Sequence, residues 1–453
     1  MIKPYEENNP TKNFWYPEVP SHWVLSKVKY VAKTIAGGTP STDKSEYWEN
    51  GDIPWLPSGK LQNCDITTAE KFITKQGLDN SSTKLIKPCT TLIALTGATC
   101  SNIGFLKFQA CANQSVVAIN EFSGKADSRF LFYMFLSMRK QILTHQSGGA
   151  QAGINDGNVK NLFLVVPPLN EQTKIAQYLD HQTSIIDQLI LQKEKLIELL
   201  KEKRQAVINE AVTKGLNPNA KMKDSGIEWL GEVPNEWIVI KLKHVVGYIK
   251  GFAFKTEVFR EEGVPIVKAS DIKNLTIKSG KDYISKQDSR NYDKVRLFEG
   301  DIIISTVGST PDVINSAVGQ IAKVPIEFQG SCLNQNTVKF YPSTVLLLND
   351  FLFYLLNTNR YRKYLDLYAH GTANQASLKI EDMLDFTAVL PSISEQEQII
   401  VYLEKKIHQV QNLLEINLNC IEKLKEFRQS VISEAVTGKI DVRDWQPKNL
   451  QNN

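Results

Sequence analysis

The sequence carries almost no surplus charge: 53 Lys and Arg face 49 Asp and Glu, a net of +4 over 453 residues. That is too even for a chain that grips nucleic acid by bulk charge, although local patches remain open to it. Uncharged apolar runs near the ~18–20 residues of a membrane span are absent. MIKPYEENNP at the start lacks the apolar stretch of a secretory signal, so a cytoplasmic protein is expected. The six cysteines, at 64, 89, 100, 111, 332 and 420, form no CxxC pair, and the histidines form no HxxxH or His–Cys cluster. Neither disulfides nor a structural metal is expected. Catalytic signatures are missing too: there is no Gly-x-Gly-x-x-Gly after a strand and no phosphate-binding P-loop. An adenine methyltransferase would need an Asn-Pro-Pro-aromatic motif, and NNPT at 8–11 and NPNA at 217–220 fall short of it. Asp271-Ile-Lys273 matches only the second half of a metal-dependent nuclease motif. No catalytic residue and no metal ligand is assigned.

What the sequence does have is itself, twice. Trp15, Glu18, Val19, Pro20 and Trp23 recur 214 residues later as Trp229, Glu232, Val233, Pro234 and Trp237. CANQSVV at 111–117 and FLFY at 130–133 recur at an offset of 221 as CLNQNTV and FLFY. From 167 to 213 the chain aligns without a gap on 391–437, with 20 of 47 positions identical. Such a period is too long for a solenoid and suits duplicated domains. Each copy has a divergent globular part followed by a closely preserved one.

The preserved parts read as helices, free of internal Pro or Gly between Pro168 and Gly215 and between Ser392 and Thr437. Asn170 suits an N-cap, SEQE at 394–397 has capping-box spacing, and Gly215 and Gly438 stand where helices stop. Roughly 43 residues at 1.5 Å each give a rod of about 65 Å, longer than either globular part needs to close its core. Leu179, Ile186, Lys193, Leu200 and Val207 fall seven apart, as do Leu403, Val410, Asn417, Leu424 and Val431. Leu189 and Leu196, with Leu413 and Cys420, are expected at the second seam position of a coiled coil. Lys193 and Asn417 place one polar residue in the middle of each seam, which would penalise a slipped antiparallel register.

The expected organisation is an N-terminal extension (1–18), a first globular domain (19–166), a first helix (167–215), a linker (216–232), a second globular domain (233–390), a second helix (391–440) and a tail (441–453). β-Branched runs such as TTLIALTG (90–97) and GDIIISTVG (300–308) read as buried strands, and FLFYMFLSMRKQIL (130–143) as an amphipathic helix. The fold class is α+β: two similar mixed α/β domains joined by two long helices, with an internal pseudo-two-fold repeat.

With catalysis excluded, two readers on a stiff frame remain. Polar and basic loop residues are the natural DNA contacts, because amides read adenine edges and lysines suit phosphate or guanine. In the first half these are Lys44, Trp48, Lys60, Asn102, Asn113, Gln114, Gln146 and Gln151. In the second they are Lys268, Ser270, Lys273, Ser309, Asn334, Gln335, Asn374 and Gln375. The pairs Asn113–Gln114 and Asn334–Gln335 occur in both halves, so they equally fit a shared structural device. A fused restriction–methylation chain would need the missing motifs, and a pure coiled-coil scaffold would leave two large domains idle.

The stretches GGTPSTDKSEYWENGDIPWLPSGKL (37–61), DSGIEWLGEVPNEW (224–237), VVPPLNEQTKIAQYL and VLPSISEQEQIIVYL resemble the specificity subunits of type I restriction–modification enzymes over nearly the whole chain. Pro167, Glu171, Gln172 and Ile175 are matched there by Pro391, Glu395, Gln396 and Ile399. The resemblance implies two target recognition domains reading the halves of a split, asymmetric double-stranded DNA site, with an antiparallel coiled coil setting the spacing. It implies a non-catalytic chain without a cofactor of its own, partnered by two modification (methyltransferase) subunits and by restriction/translocase subunits. S-adenosylmethionine, ATP and magnesium would belong to those partners. Tyr178, Arg204, Tyr402 and Arg428 on the helices are candidate partner contacts.

Overall fold

The computed structural model describes residues 3–121, 124–148, 152–227, 230–278, 282–308, 318–372 and 375–447. The chain forms two compact units, Met1–Glu194 with Leu418–Asn453, and Lys195–Asn417. Both long helices, Leu169–Lys214 and Ile393–Val436, contribute a segment to each unit.

The first unit is built on a five-stranded sheet in the order Ala32–Ala36, Val116–Glu121, Thr90–Ala94, Ile103–Leu106, Cys64–Ile66. Thr90–Ala94 is buried on both faces, as its unbroken β-branched and apolar run predicts. The helix Ser128–Ser137 packs Phe130, Phe132 and Phe135 on one side of the sheet. Asp127 caps it, accepting the N–H groups of Arg129 and Phe130 at 2.9 and 2.8 Å. A smaller sheet runs Cys111–Ala112, Ile53–Leu56, Lys71–Ile73.

The second unit repeats this plan with four strands: Val246–Lys250, Thr337–Pro342, Ile302–Ser305, Ile321–Lys323. Its small sheet runs Phe259–Arg260, Tyr283–Ile284, Val264–Val267, Cys332–Leu333. The stretches read as extension and linker are the same element in the two units. Asn8–Pro10 pairs antiparallel with Glu18–Pro20, and Met222–Asp224 with Glu232–Pro234. In the first unit the tail closes on this hairpin's approach: Asp441 N–H donates to Lys3 O at 2.8 Å, Val442 is buried, and Trp445 packs edge-on against Tyr178 at 5.3 Å. In the second unit the matching Tyr402 lines a hollow of about 750 Å³ with Val207, Lys214, Met222 and Arg360.

A buried amide fastens each globular part to its helix. Gln172 Nε2 donates to the carbonyls of Pro167 (2.8 Å) and Lys125 (2.9 Å), while its Oε1 accepts the Asp127 N–H at 2.7 Å. Gln396 does the same with Pro391 O (3.0 Å), Leu346 O (2.7 Å) and Leu348 N–H (2.9 Å). One residue earlier, Glu171 and Glu395 accept the indole N–H groups of Trp23 and Trp237, both at 3.1 Å. A buried amide with every group bonded costs little to bury, and losing it strands all of its partners.

The helix segments run antiparallel within each unit. In the first, Arg428 makes two bonds to Asp187, at 2.8 and 3.2 Å, while Val431, Ile432 and Val436 share a core with Ile175, Tyr178 and Leu179. In the second, Ile208 and Val212 meet Ile399 and Leu403. The helices stop before Gly215 and Gly438, whose φ of 75° and 77° suit a residue without Cβ. Ser392 Oγ accepts the Glu395 N–H at 3.3 Å, so the capping serine lies two residues before Ser394.

Leu179, Ile186, Leu200, Leu403, Val410, Asn417 and Val431 are buried, while Lys193, Val207 and Leu424 are half-buried, in line with the sevenfold spacing. The second seam position differs from the expectation. Leu189, Leu196 and Leu413 are exposed and Cys420 is half-buried; Ile197, Leu414 and Ile421 are buried instead, with Ile190 half-buried. Each expected residue is followed by another aliphatic, which offers two apolar faces about 100° apart. The buried one lies four, not three, residues after each first-seam residue. No helix among the described residues is long and apolar enough to cross a membrane.

Candidate nucleic-acid interface

The most informative surface is a loop device found in both units. In the first, Gly37 and Gly38 leave the strand Ala32–Ala36 and donate to Val116 O (2.9 Å) and Ala112 O (2.8 Å). In the second, Gly251 and Phe252 leave Val246–Lys250 and donate to Thr337 O (3.0 Å) and Leu333 O (2.9 Å). Opposite them, Asn113 N–H bonds Leu56 O and Asn334 N–H bonds Val267 O, each at 3.0 Å. The crossing is tight: a Cβ on Gly37 or Gly251 would lie 2.0 or 1.9 Å from the carbonyl oxygen of Asn113 or Asn334. Only glycine admits that approach. The glycines and the asparagine backbone are therefore the shared device, and the glutamines after the asparagines, Gln114 and Gln335, are exposed. Gln114 Oε1 accepts the Thr39 hydroxyl.

The other sequence candidates divide into tied and presented side chains. Asn102 is tied, its amide donating to Leu61 O at 3.0 Å. Lys60 pairs with Glu70 at 2.6 Å, and Lys268 with Asp282 at 2.5 Å beneath the Phe259 ring. Trp48 donates to Ser41 O and stands edge-on to Trp55 at 5.1 Å, holding the 41–48 loop. Ser270 bonds Asp271, whose other oxygen accepts the Lys268 N–H at 2.8 Å. Burial holds Asp271 above the usual carboxylate range. It braces a turn, and no group of three or more His, Cys, Asp or Glu able to hold a metal occurs among the described residues.

Presented side chains are fewer. Lys44 is exposed, with its ammonium raised above its ordinary pKa by the Tyr47 hydroxyl 3.1 Å away. Lys273 is exposed at the end of the strand Ile272–Lys273, paired with Thr276 across a tight turn. Gln146 is exposed and bonds Ala152 O at 3.1 Å. Gln375 lies in the strand Gln375–Ser377, while Gln151, Ser309 and Asn374 lie outside the described residues. The loop device thus brings together Gly38 with the segment Asn113–Gln114, and Phe252 with Asn334–Gln335; Trp48 adjoins the first through Trp55, whose indole N–H donates to Gly38 O at 3.0 Å. In the sequence Phe252 stands against Gly38 at the offset of 214, the signal that sets it apart.

On the helices, Arg428 is paired with Asp187 and Tyr178 is covered by Trp445, while Tyr402 and Arg204 are half-buried. Exposed apolar side chains stand among them. Leu189, Leu191, Leu418 and Phe427 do so in the first unit, and Leu196, Leu199, Leu413 and Ile416 in the second.

Residues 20–200 and 234–425 match the family model described as "Type I restriction modification DNA specificity domain". The MjaVIII type I specificity subunit of Methanocaldococcus jannaschii is 26% identical over 447 residues, covering 97% of this chain and 98% of that one. The EcoR124I/EcoR124II specificity subunit of Escherichia coli is 30% identical over 155 residues, 33% of this chain and 38% of its own. A chain solved in work on complex assembly and conformational transition of the type I R-M system shares the fold at a TM-score of 0.69 and 18% identity. The likeness covers 92% of this chain and 98% of that one. The HsdS subunit from Thermoanaerobacter tengcongensis matches at 0.51 and 17%, over 93% and 98%.

Proposed function

The chain belongs to the type I restriction–modification DNA specificity family, and on that premise we propose that each unit reads one half of a bipartite, asymmetric DNA site. Specificity subunits are the non-catalytic members of these systems, so the chemistry lies in partner chains. The observation that carries the reading is the repeated loop device with unlike outer residues. Its backbone bonds are the same in both units, while the residue after the tight glycine is buried Gly38 in one and exposed Phe252 in the other. A frame held constant while one unit presents a side chain that the other lacks suits two readers of different sequences. Gln114, Gln335, Lys44 and Lys273 are the proposed direct contacts, the amides at base edges and the ammonium groups at phosphates.

The near-neutral balance fits a reader that leaves much of the phosphate grip to its partners. The exposed leucines of the helices, with Tyr402 and Arg204, are the proposed docking surface for two modification subunits, which would supply S-adenosylmethionine. Restriction/translocase subunits of the full complex would hold ATP and magnesium. Methylome sequencing of cells carrying this chain and its modification partner should return a two-part adenine motif. Exchanging residues 1–166 for those of a relative should change one part alone. A change in both parts, or no motif in the unaltered complex, would sink the reading.

A further inference from the structure

We propose that Phe252 and Gln335 together read an A·T pair in the half-site of the second unit, the ring against the thymine 5-methyl group and the amide on adenine. The inference rests on the DNA-reading function proposed above and names the chemistry of one contact.

Phe252 is 44% exposed, yet it is held rather than loose. Its backbone bridges Asn334, the residue before Gln335, and its N–H is bonded to Leu333 O. Its ring lies 5.3 Å from Phe254 and 4.9 Å from Tyr292, which are themselves 4.9 Å apart. Those two rings also pack against the small cores under the second sheet, whereas Phe252 joins neither core. An aromatic side chain braced from below and left open above is placed to be covered by a flat or apolar ligand group. Its setting favours nucleic acid: exposed Gln335 directly follows Asn334, the bridge partner of Phe252, and exposed Lys250 and Lys255 flank it along the chain. Amide with adenine and apolar ring with thymine methyl are complementary major-groove contacts, and one base pair offers both groups.

The first unit shows what the position does without the ring. Gly38 makes the same backbone bond there, but a Cβ on it would lie 2.4 Å from Ser82 Oγ and Thr83 N. Chain at 82–83 occupies the space, and no side chain at 38 can reach outward. An apolar reader at this position therefore exists in one unit only.

The test uses the complex with its modification subunits and a duplex carrying the motif found by methylome sequencing. Replacing thymines of the second unit's half-site one at a time by uracil removes a single methyl group. One position should lose affinity about four-fold, the worth of one buried methyl. Phe252→Ala should lose affinity on the thymine duplex and become indifferent to uracil at that position, while Phe252→Leu keeps part of the discrimination. Melting temperature and co-purification of the modification subunits should stay as in the parent. A half-site without thymine, an unchanged Phe252→Ala complex, a variant still sensitive to that uracil, or loss of the modification subunits would each overturn the proposal. Failure of the parent complex to give any motif would instead overturn the DNA-reading function itself.

Discussion

The two units keep their fastenings and change their fillings. Gln172 with Glu171–Trp23, and Gln396 with Glu395–Trp237, are superposable in bonding although little around them is. Nearby charge even reverses. Arg129 at the start of Ser128–Ser137 pairs with Asp65 and with Asp180 at 2.7 Å, whereas the matching Asp350 pairs with Lys323 at 2.6 Å. An ion pair can be inverted at small cost when both partners change, because exposed pairs contribute little. A buried amide bonded to three backbone groups has no such substitute. Divergence has run where the physics is permissive, and the joint between reader and helix is where it is not.

The largest test of this contrast is the joint. Gln172→Ala strands two carbonyls and one N–H and should destabilise the first unit by about 3 kcal/mol, read by denaturant unfolding. Gln396→Ala should do the same to the second, and each should blur only its own half of the methylated motif. Equal damage to both halves by either variant would mean the joints are not independent. Next come Gly37→Ala and Gly251→Ala, whose new methyl collides with a backbone carbonyl; each should cost about 2 kcal/mol and weaken one half-site. The smallest effect is expected at an exposed pair. Lys241 and Lys243, each 2.7 Å away, hold the Asp385 carboxyl down at about 2. A depressed carboxylate pKa stabilises above the unfolded value near ~4 and stops doing so as pH falls through about 2. Asp385→Asn should therefore melt slightly lower than the parent at pH 7 and converge with it in strong acid, the gap shrinking in high salt.

Much of this architecture is legible in the sequence, because the repeat and the Pro- and Gly-free helices need only pattern to be seen. The second seam was misplaced where Leu189–Ile190, Leu196–Ile197 and Leu413–Leu414 give two adjacent aliphatics, and periodicity alone cannot choose between neighbouring faces. The extension at 1–18 and the linker at 216–232 each hold the first strand of a short hairpin, whose three-residue strands are too brief to show a periodicity. At the candidate interface, Asn113 and Asn334 carry the ambiguity of any feature common to both halves; the tight glycine crossing engages their backbone, a contact that residue type alone does not display. Phe252 shows in the sequence only as a mismatch with Gly38; that its ring is left open is displayed by the packed chain alone.

The closure of the first unit by Asp441, Val442 and Trp445 has a consequence for synthesis. Residues 195–417 are contiguous, so the second unit holds all of its parts once they leave the ribosome. The first begins the chain yet must wait for 418 onward, a delay of about 10–45 s at ~5–20 residues per second. Through that interval Ile175, Tyr178 and Leu179 stand without Val431, Ile432 and Val436 beside them. The earlier-made domain is thus the later to be completed, and a chaperone or a partner subunit that covers this helix meets it uncovered only on the nascent chain.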